Sequence, residues 1–341
     1  MKDALKTLTA LAVLLAPLPA AAQPLYHLAA VVKLSGATKW DYLKLDKPTG
    51  RLFISHGTEE LVVNPATRQV VGRLSGLPGS HGVAFDPATG EIWADSATKS
   101  VATVFDPHSL APLASVPVLD DADGMAYDPA SRTIFVSGGD GHGLTPINPA
   151  TRTAYPTIAL GSAPEAFAPD GQGNLYVAMV EANEVARVDT RTRQVTARWP
   201  TTGCLAPTGL ALDEARGRIF VSCRGGSLDV LDERTGRVMV TLPIGKGTDG
   251  AAFDPVRQRA FSANGEGTIS VIDTRPAVPK LLATLHTEPG ARTLAVDPRS
   301  GDLFTVTAKV AATIAPATPQ GRTHYRFVPG TLALYIYAPT P

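Results

Sequence analysis

The chain has 341 residues, of which 44% are hydrophobic and 18% are charged, so it has enough apolar side chains to build a sizeable core and lacks the composition of a disordered protein. It carries 31 Lys and Arg residues against 31 Asp and Glu residues, with no basic run. Because nucleic-acid-binding proteins usually carry a basic excess, this balance argues against a nucleic-acid partner.

Residues 1–22 are predicted to be a secretory signal peptide. Lys2 and Lys6 give a basic start, and residues 8–18 form an apolar run that is too short to span a bilayer. Small residues at 20–22 offer a cleavage site before Gln23, and no later apolar run is long enough for a span. We therefore expect a periplasmic or secreted protein with no transmembrane segment in the mature chain, an uncleaved anchor being the alternative.

A unit of 40 to 44 residues repeats seven times along the mature chain. Each unit contains an aromatic residue seven positions after a fixed point, which is Asp in six units and Pro in the fourth. The fixed points are Asp46, Asp86, Asp128, Pro169, Asp213, Asp254 and Asp297. Four short segments rich in β-branched and aromatic residues fill each unit and are separated by Asp-Pro, Asn-Pro or Thr-Gly turns. This pattern predicts one domain over 23–341, an all-β, seven-bladed β-propeller with four-stranded blades.

The two ends of the chain are predicted to share the last blade. The final repeat ends in "LALYIYAP" (332–339), which is typical of a third strand, and no fourth strand follows it. The segment "LYHLAAVVKL" (25–34) has the composition of a fourth strand. We expect it to complete blade seven and close the ring, which removes exposed strand edges. An insertion over 308–330 separates the second and third strands of the same blade.

These repeats, with units such as "GRLFIS" (50–55) and "VVNPATRQVVGRL" (62–74), resemble the YVTN-repeat, YncE-like family of exported seven-bladed propellers. The signature tetrapeptide occurs in altered forms such as "FISH" (53–56) and "YVAM" (176–179). The resemblance covers the whole mature chain and implies a shared architecture. Function is carried by individual sites rather than by the fold, so the residues at the channel mouth must be considered separately.

The loops that lead into the inner strands of a propeller meet at one end of its channel. The residue five positions before each repeat's Asp, or four before Pro169, lies in this loop. These residues are Asp41, His81, Asp123, Glu165, Thr208, Asp249 and Arg292. Second-strand ends open on the same face and add His56, Arg224 and Asn264. We predict that these ten residues surround the mouth and bind a ligand. The alternative is that they are ordinary turn residues bonded to local amides.

Four of these side chains form the predicted metal-binding set. Asp41, His81, Asp123 and Asp249 combine carboxylates with an imidazole, a ligand set that suits Zn, Mn, Fe or Ca. Several acids around a narrow mouth would also attract cations, and Arg292 could bind a substrate carboxylate. No cofactor other than a divalent metal ion is indicated.

Two cysteines occur in the fifth repeat. Cys204 precedes the inner strand and Cys223 ends the second strand, so the hairpin should bring the two thiols together at the top. An exported protein meets an oxidising environment, which favours a disulfide; a thiol pair binding metal is the alternative.

The function favoured by these observations is binding without catalysis. We expect a monomeric exported propeller that binds a small molecule, a metal ion or an envelope protein at the top mouth. The alternative is a periplasmic metal-dependent hydrolase, lactonase or lyase that uses the carboxylate and histidine ring.

Overall fold

The computed structural model describes residues 24–34, 36, 39–316 and 323–340. The predicted signal peptide and its cleavage site lie outside these residues. The described chain forms seven radial antiparallel sheets and two short 3₁₀ helices, Ala97–Lys99 and Glu214–Arg216. The predicted seven-bladed β-propeller is confirmed.

The first three blades follow the predicted order of strands. Blade one consists of β2 (Leu43–Asp46), β3 (Arg51–Ser55), β4 (Glu59–Asn64) and β5 (Gln69–Ser75). Blade two consists of β6 (Val83–Phe85), β7 (Ile92–Ser96), β8 (Val101–Phe105) and β9 (Pro112–Pro117). Blade three consists of β10 (Ala122–Asp128), β11 (Thr133–Gly138), β12 (Gly143–Asn148), β13 (Thr153–Ala154) and β14 (Ile158–Ala159).

The outer strand of blade three differs from the prediction because it is split. Both β13 and β14 pair with β12, and Pro156 lies between them. Proline has no N–H group to donate to a neighbouring strand, so the ladder is interrupted there.

The next three blades are regular. Blade four consists of β15 (Pro164–Pro169), β16 (Asn174–Met179), β17 (Glu184–Asp189) and β18 (Gln194–Pro200). Blade five consists of β19 (Pro207–Asp213), β20 (Arg218–Cys223), β21 (Ser227–Asp232) and β22 (Val238–Pro243). Blade six consists of β23 (Thr248–Asp254), β24 (Arg259–Asn264), β25 (Thr268–Asp273) and β26 (Lys280–His286).

Blade seven joins the two ends of the chain, as predicted. It consists of β27 (Leu294–Val296), β28 (Leu303–Thr307), β31 (Ala333–Pro339) and β1 (Tyr26–Lys33). Strand β1 pairs antiparallel with β31, from Tyr26 opposite Pro339 to Lys33 opposite Ala333. Between β28 and β31 the chain forms a separate hairpin of β29 (Val310–Ile314) and β30 (His324–Phe327).

The core lies between neighbouring blades. The aromatic residue of each repeat is at most 1% exposed: Phe53, Trp93, Phe135, Tyr176, Phe220, Phe261 and Phe304. In six blades this residue pairs with an alanine of the inner strand, and the small side chain lets neighbouring blades approach closely. Outer strands such as β5 alternate between exposed and partly buried residues because one face meets solvent.

The disulfide predicted in blade five is confirmed. Cys204 and Cys223 are bonded, with their Cα atoms 5.3 Å apart, and both side chains are fully buried. The bond joins the loop leading into β19 to the end of β20. It therefore fixes the position of this loop at the top face, the face from which the inner strands begin.

Candidate functional site

Each blade contributes one charged or titratable side chain to a group at the top of the channel. In every blade one inner-strand residue pairs with the aromatic residue of the repeat. In six blades the residue three positions before it contributes the side chain. Blade five instead contributes Arg224, which follows β20. In blade order the seven residues are Asp41, His81, Asp123, Glu165, Arg224, Asp249 and Arg292, and we call them the mouth ring.

His81 lies between two carboxylates from the neighbouring blades. Its Nδ1 is 3.0 Å from Oδ2 of Asp41 and 2.8 Å from Oδ1 of Asp123. All three side chains are partly exposed at the mouth. One imidazole nitrogen therefore links blades one, two and three.

The arginines continue this chain of contacts on the other side. Arg292 lies with Nε 2.7 Å from Oδ2 of Asp249 and with its NH2 atom 3.8 Å from Oδ1 of Asp41. Arg224 donates from Nε to Oδ1 of Asp249 at 3.3 Å and from its NH2 atom to Oε2 of Glu165 at 3.4 Å. The contacts thus run unbroken from Asp123, through blades two, one, seven, six and five, to Glu165.

Charge around the mouth ring is nearly balanced. Its four carboxylates exceed two guanidinium groups and one imidazolium by a single negative charge. Burial and the nearby carboxylates of Asp123 and Asp249 raise the pKa of Glu165 well above its usual value. Protonation of Glu165 would balance the ring completely.

The imidazole of His81 is held in its charged form. Burial alone would lower its pKa, but the hydrogen bonds and charges of Asp123 and Asp41 outweigh burial and raise the pKa to about 11. Burial raises the pKa of Asp123 to about 6, although its contact with His81 acts in the opposite direction. At neutral pH the proton therefore resides on the imidazole.

A second layer of buried acids positions the mouth ring. Asp95 is fully buried and its Oδ1 accepts the backbone N–H of His81 at 2.7 Å. Burial raises the pKa of Asp95 to about 7. Glu60 accepts the hydroxyl of Ser80 at 2.5 Å, and burial raises its pKa well above the usual range. Neither Asp95 nor Glu60 was predicted from the sequence, because neither lies at the repeat position that identifies the mouth ring.

Three of the predicted ligand-binding residues make contacts elsewhere. His56 is 2% exposed, and its Nδ1 lies 3.1 Å from Oε1 of Glu59. Thr208 is fully buried and donates to the carbonyl of Thr248 at 2.7 Å. Asn264 is fully buried and bonds to the hydroxyls of its own blade. Each of these side chains supports a loop or a blade contact.

A cavity of about 320 Å³ lies in the channel below the mouth. The inner strands of all seven blades line it, together with Asp123 and Glu165 from the mouth ring. Tyr42 and Lys44 of blade one also line it. The Tyr42 hydroxyl is buried and has no hydrogen-bond partner among the described residues. Neither Tyr42 nor Lys44 was predicted as a site residue, although both differ from the residues at the equivalent inner-strand positions of the other repeats.

Asp41, His81 and Asp123 can also provide ligand atoms to a metal. One donor atom from each lies within 4.8 Å of the other two. Asp249 does not belong to this group, and its carboxylate is instead contacted by Arg224 and Arg292. The structure therefore supports a three-residue candidate site rather than the predicted set of four.

Comparison with known proteins supports the fold but does not identify a family or a function. No family matches the chain, and no curated protein matches it. Among the solved structures that match is one described as hydrazine synthase of Kuenenia stuttgartiensis, with a TM-score of 0.69 and 15% sequence identity. The alignment covers 80% of this chain and 94% of that one. The resemblance to YVTN-repeat proteins stays a prediction. Among the described residues, no helix has both the length and the apolar character needed to cross a membrane.

Proposed function

We propose that this protein is an exported, non-catalytic binding protein that takes a divalent cation at the top mouth of its channel. The ligands are Asp41, His81 and Asp123. The observation that carries the proposal is that three different blades bring their donor atoms within 4.8 Å of one another. Loops on a rigid ring of sheets hold such a site without rearrangement of the backbone.

Imidazole and carboxylate ligands together suit Mn²⁺, Zn²⁺ or Fe²⁺. A cation has to displace the proton of His81, because a metal ligand must be neutral imidazole. The metal then contacts the two carboxylates that the imidazolium contacts in its absence. The pKa of His81 is raised to about 11 and that of Asp123 to about 6. Between these two values the protein therefore releases one proton, that of His81, for each metal bound. The apparent affinity should rise about tenfold for each pH unit between 6.5 and 8.5.

Calorimetric titration of the chelator-treated mature protein with Mn²⁺ and Zn²⁺ tests the proposal. We expect one site per chain and the stated increase of affinity with pH. Asp123→Asn should weaken binding at least about tenfold, since one charged ligand is lost. Asp140→Asn is the matched control, because Asp140 is an exposed carboxylate of the same blade. Equal binding by wild type and Asp123→Asn would refute the site.

The alternative is an enzyme: a metal-dependent hydrolase, lactonase or lyase. Such an enzyme would bind the same metal and would also convert a substrate. An assay of lactone hydrolysis by the metal-loaded protein separates the two. Binding without hydrolysis favours the proposal, and hydrolysis that disappears in Asp123→Asn favours the alternative.

A further inference from the structure

One lysine breaks the pattern of the inner strands. The inner-strand residue opposite the repeat's aromatic is alanine in six blades: Ala84, Ala126, Ala168, Ala211, Ala252 and Ala295. In blade one this position is Lys44, which lies opposite Phe53. Lys44 lines the cavity, whereas Ala295 is the only one of these six alanines among its lining residues.

The positive charge of the Lys44 ammonium group is not balanced by a nearby negative charge. Its Nζ donates to the carbonyl of Met125 in blade three at 3.0 Å. No carboxylate lies within ion-pair distance of it in the part of the chain that the structure describes. Leu43, Phe167 and Leu294 are among the apolar residues that line the same cavity. A charge in such surroundings is stabilised by an anion that reaches it.

The other titratable groups of the cavity are unevenly placed. Asp123 and Glu165 belong to the mouth ring, and Glu60 accepts a hydrogen bond from Ser80 beside that ring. The Tyr42 hydroxyl lies among the mouth carboxylates, whose charges help raise its pKa together with burial. Lys47, which follows β2, is the charged residue whose field acts on Lys44. The carboxyl groups therefore cluster at the top, and the positive charge lies lower in the channel.

We propose that the channel interior is a second binding site, in which Lys44 binds the carboxylate of a small monocarboxylic acid whose apolar part fills the cavity. The volume of about 320 Å³ falls at the lower end of ordinary ligand pockets and accommodates an aromatic or short-chain acid. The unpartnered Tyr42 hydroxyl offers a second hydrogen-bond donor to the same ligand. This site does not depend on a metal at the mouth.

Calorimetric titration of the mature protein with benzoate, butyrate and hexanoate at pH 7, in the presence of EDTA, tests this site. Benzamide is the neutral counterpart of benzoate. Lys44→Met removes the charge while keeping an unbranched apolar side chain, and Lys47→Met removes the neighbouring charge at an exposed position. EDTA makes the result independent of the proposed metal site.

We expect at least one of the acids to bind wild type and Lys47→Met with similar affinity. Lys44→Met should weaken it about ten- to hundredfold, as expected for the loss of a charge-assisted hydrogen bond. Affinity should fall about tenfold per pH unit above pH 8, because burial lowers the pKa of Lys44 to about 8 and the uncharged amine cannot pair with the anion. The proposal is overturned if none of the three acids binds, if benzamide binds as tightly as benzoate, or if Lys44→Met binds as tightly as wild type.

Discussion

Replacing Lys44 by methionine should make the folded protein more stable at neutral pH. Burial, with a smaller contribution from Lys47, lowers the pKa of Lys44 to about 8, whereas a solvated lysine has a pKa of about 10.4. Each tenfold change in proton affinity corresponds to about 1.4 kcal/mol. Keeping this amine charged in the folded protein therefore costs roughly 3 kcal/mol relative to the unfolded chain.

Methionine removes that cost and also removes the hydrogen bond to the carbonyl of Met125, which is worth about 1 kcal/mol. The expected net gain at pH 6.5 is about 2 kcal/mol. The pKa of Lys44 is lower in the folded protein, so the unfolded chain binds more protons between about pH 8 and pH 10.4 and wild type gains stability across that window. The advantage of Lys44→Met is therefore complete below pH 8 and disappears by about pH 10.4.

Urea denaturation followed by tryptophan fluorescence, at pH 6.5 and pH 10, measures this difference. Lys47→Met is the control, since Lys47 is exposed and its replacement should change stability little. A loss of stability in Lys44→Met at pH 6.5, or a difference that is the same at both pH values, would show that the ammonium group is well solvated or paired. That result would refute the argument from burial.

Two further changes test how the top face is built. Reducing the disulfide, or replacing Cys204 and Cys223 by alanine, should lower the free energy of unfolding by about 3 kcal/mol, because the bond closes a loop of 19 residues; chemical denaturation with and without reductant measures it. Gly209→Ala should cost about 1–3 kcal/mol, because an added Cβ would overlap Oγ of Ser222 and lie 2.8 Å from the carbonyl carbon of Gly250. An unchanged melting temperature for Gly209→Ala would mean that neighbouring inner strands are not this close.

The fold could be predicted because the residues that define each repeat act through local interactions. In six of the seven repeats an Asp at the turn is followed seven residues later by a large aromatic residue, and the fourth repeat has Pro169 in place of the Asp. These residues recur with nearly constant spacing, and each has a local reason. The carboxylate of Asp128, for example, accepts the backbone N–H of Ala130 and that of Ser131, which fixes the turn before β11. The closing strand was predictable for a similar reason, since blade seven lacked a fourth strand and the segment at 25–34 lacked a partner.

Only part of the mouth ring could be predicted from the repeat. The repeat fixes where a residue lies, so it placed Asp41, His81 and Asp123 in equivalent loops of adjacent blades. It does not fix where a side chain points. Thr208 occupies the equivalent position in blade five, yet its hydroxyl bonds to the backbone of Thr248 in blade six. Blade five instead contributes the side chain of Arg224 to the mouth ring.

The channel interior was missed although its signal is in the sequence. Alignment of the repeats sets Lys44 against six alanines, and such a departure at a crowded position indicates either a compensating partner or a function. Burial and pairing of that amine could not be obtained from the sequence, because they depend on which blades face each other across the channel. Met125, whose carbonyl accepts the hydrogen bond, lies 81 residues away along the chain.

Anomalous diffraction from crystals soaked in Mn²⁺ at pH 8 is the most direct measurement of metal binding at the mouth. We expect one peak at the top of the channel, within coordination distance of Asp41, His81 and Asp123. Crystals in which His81 still lies between the two carboxylates, with manganese bound elsewhere or not at all, would contradict it.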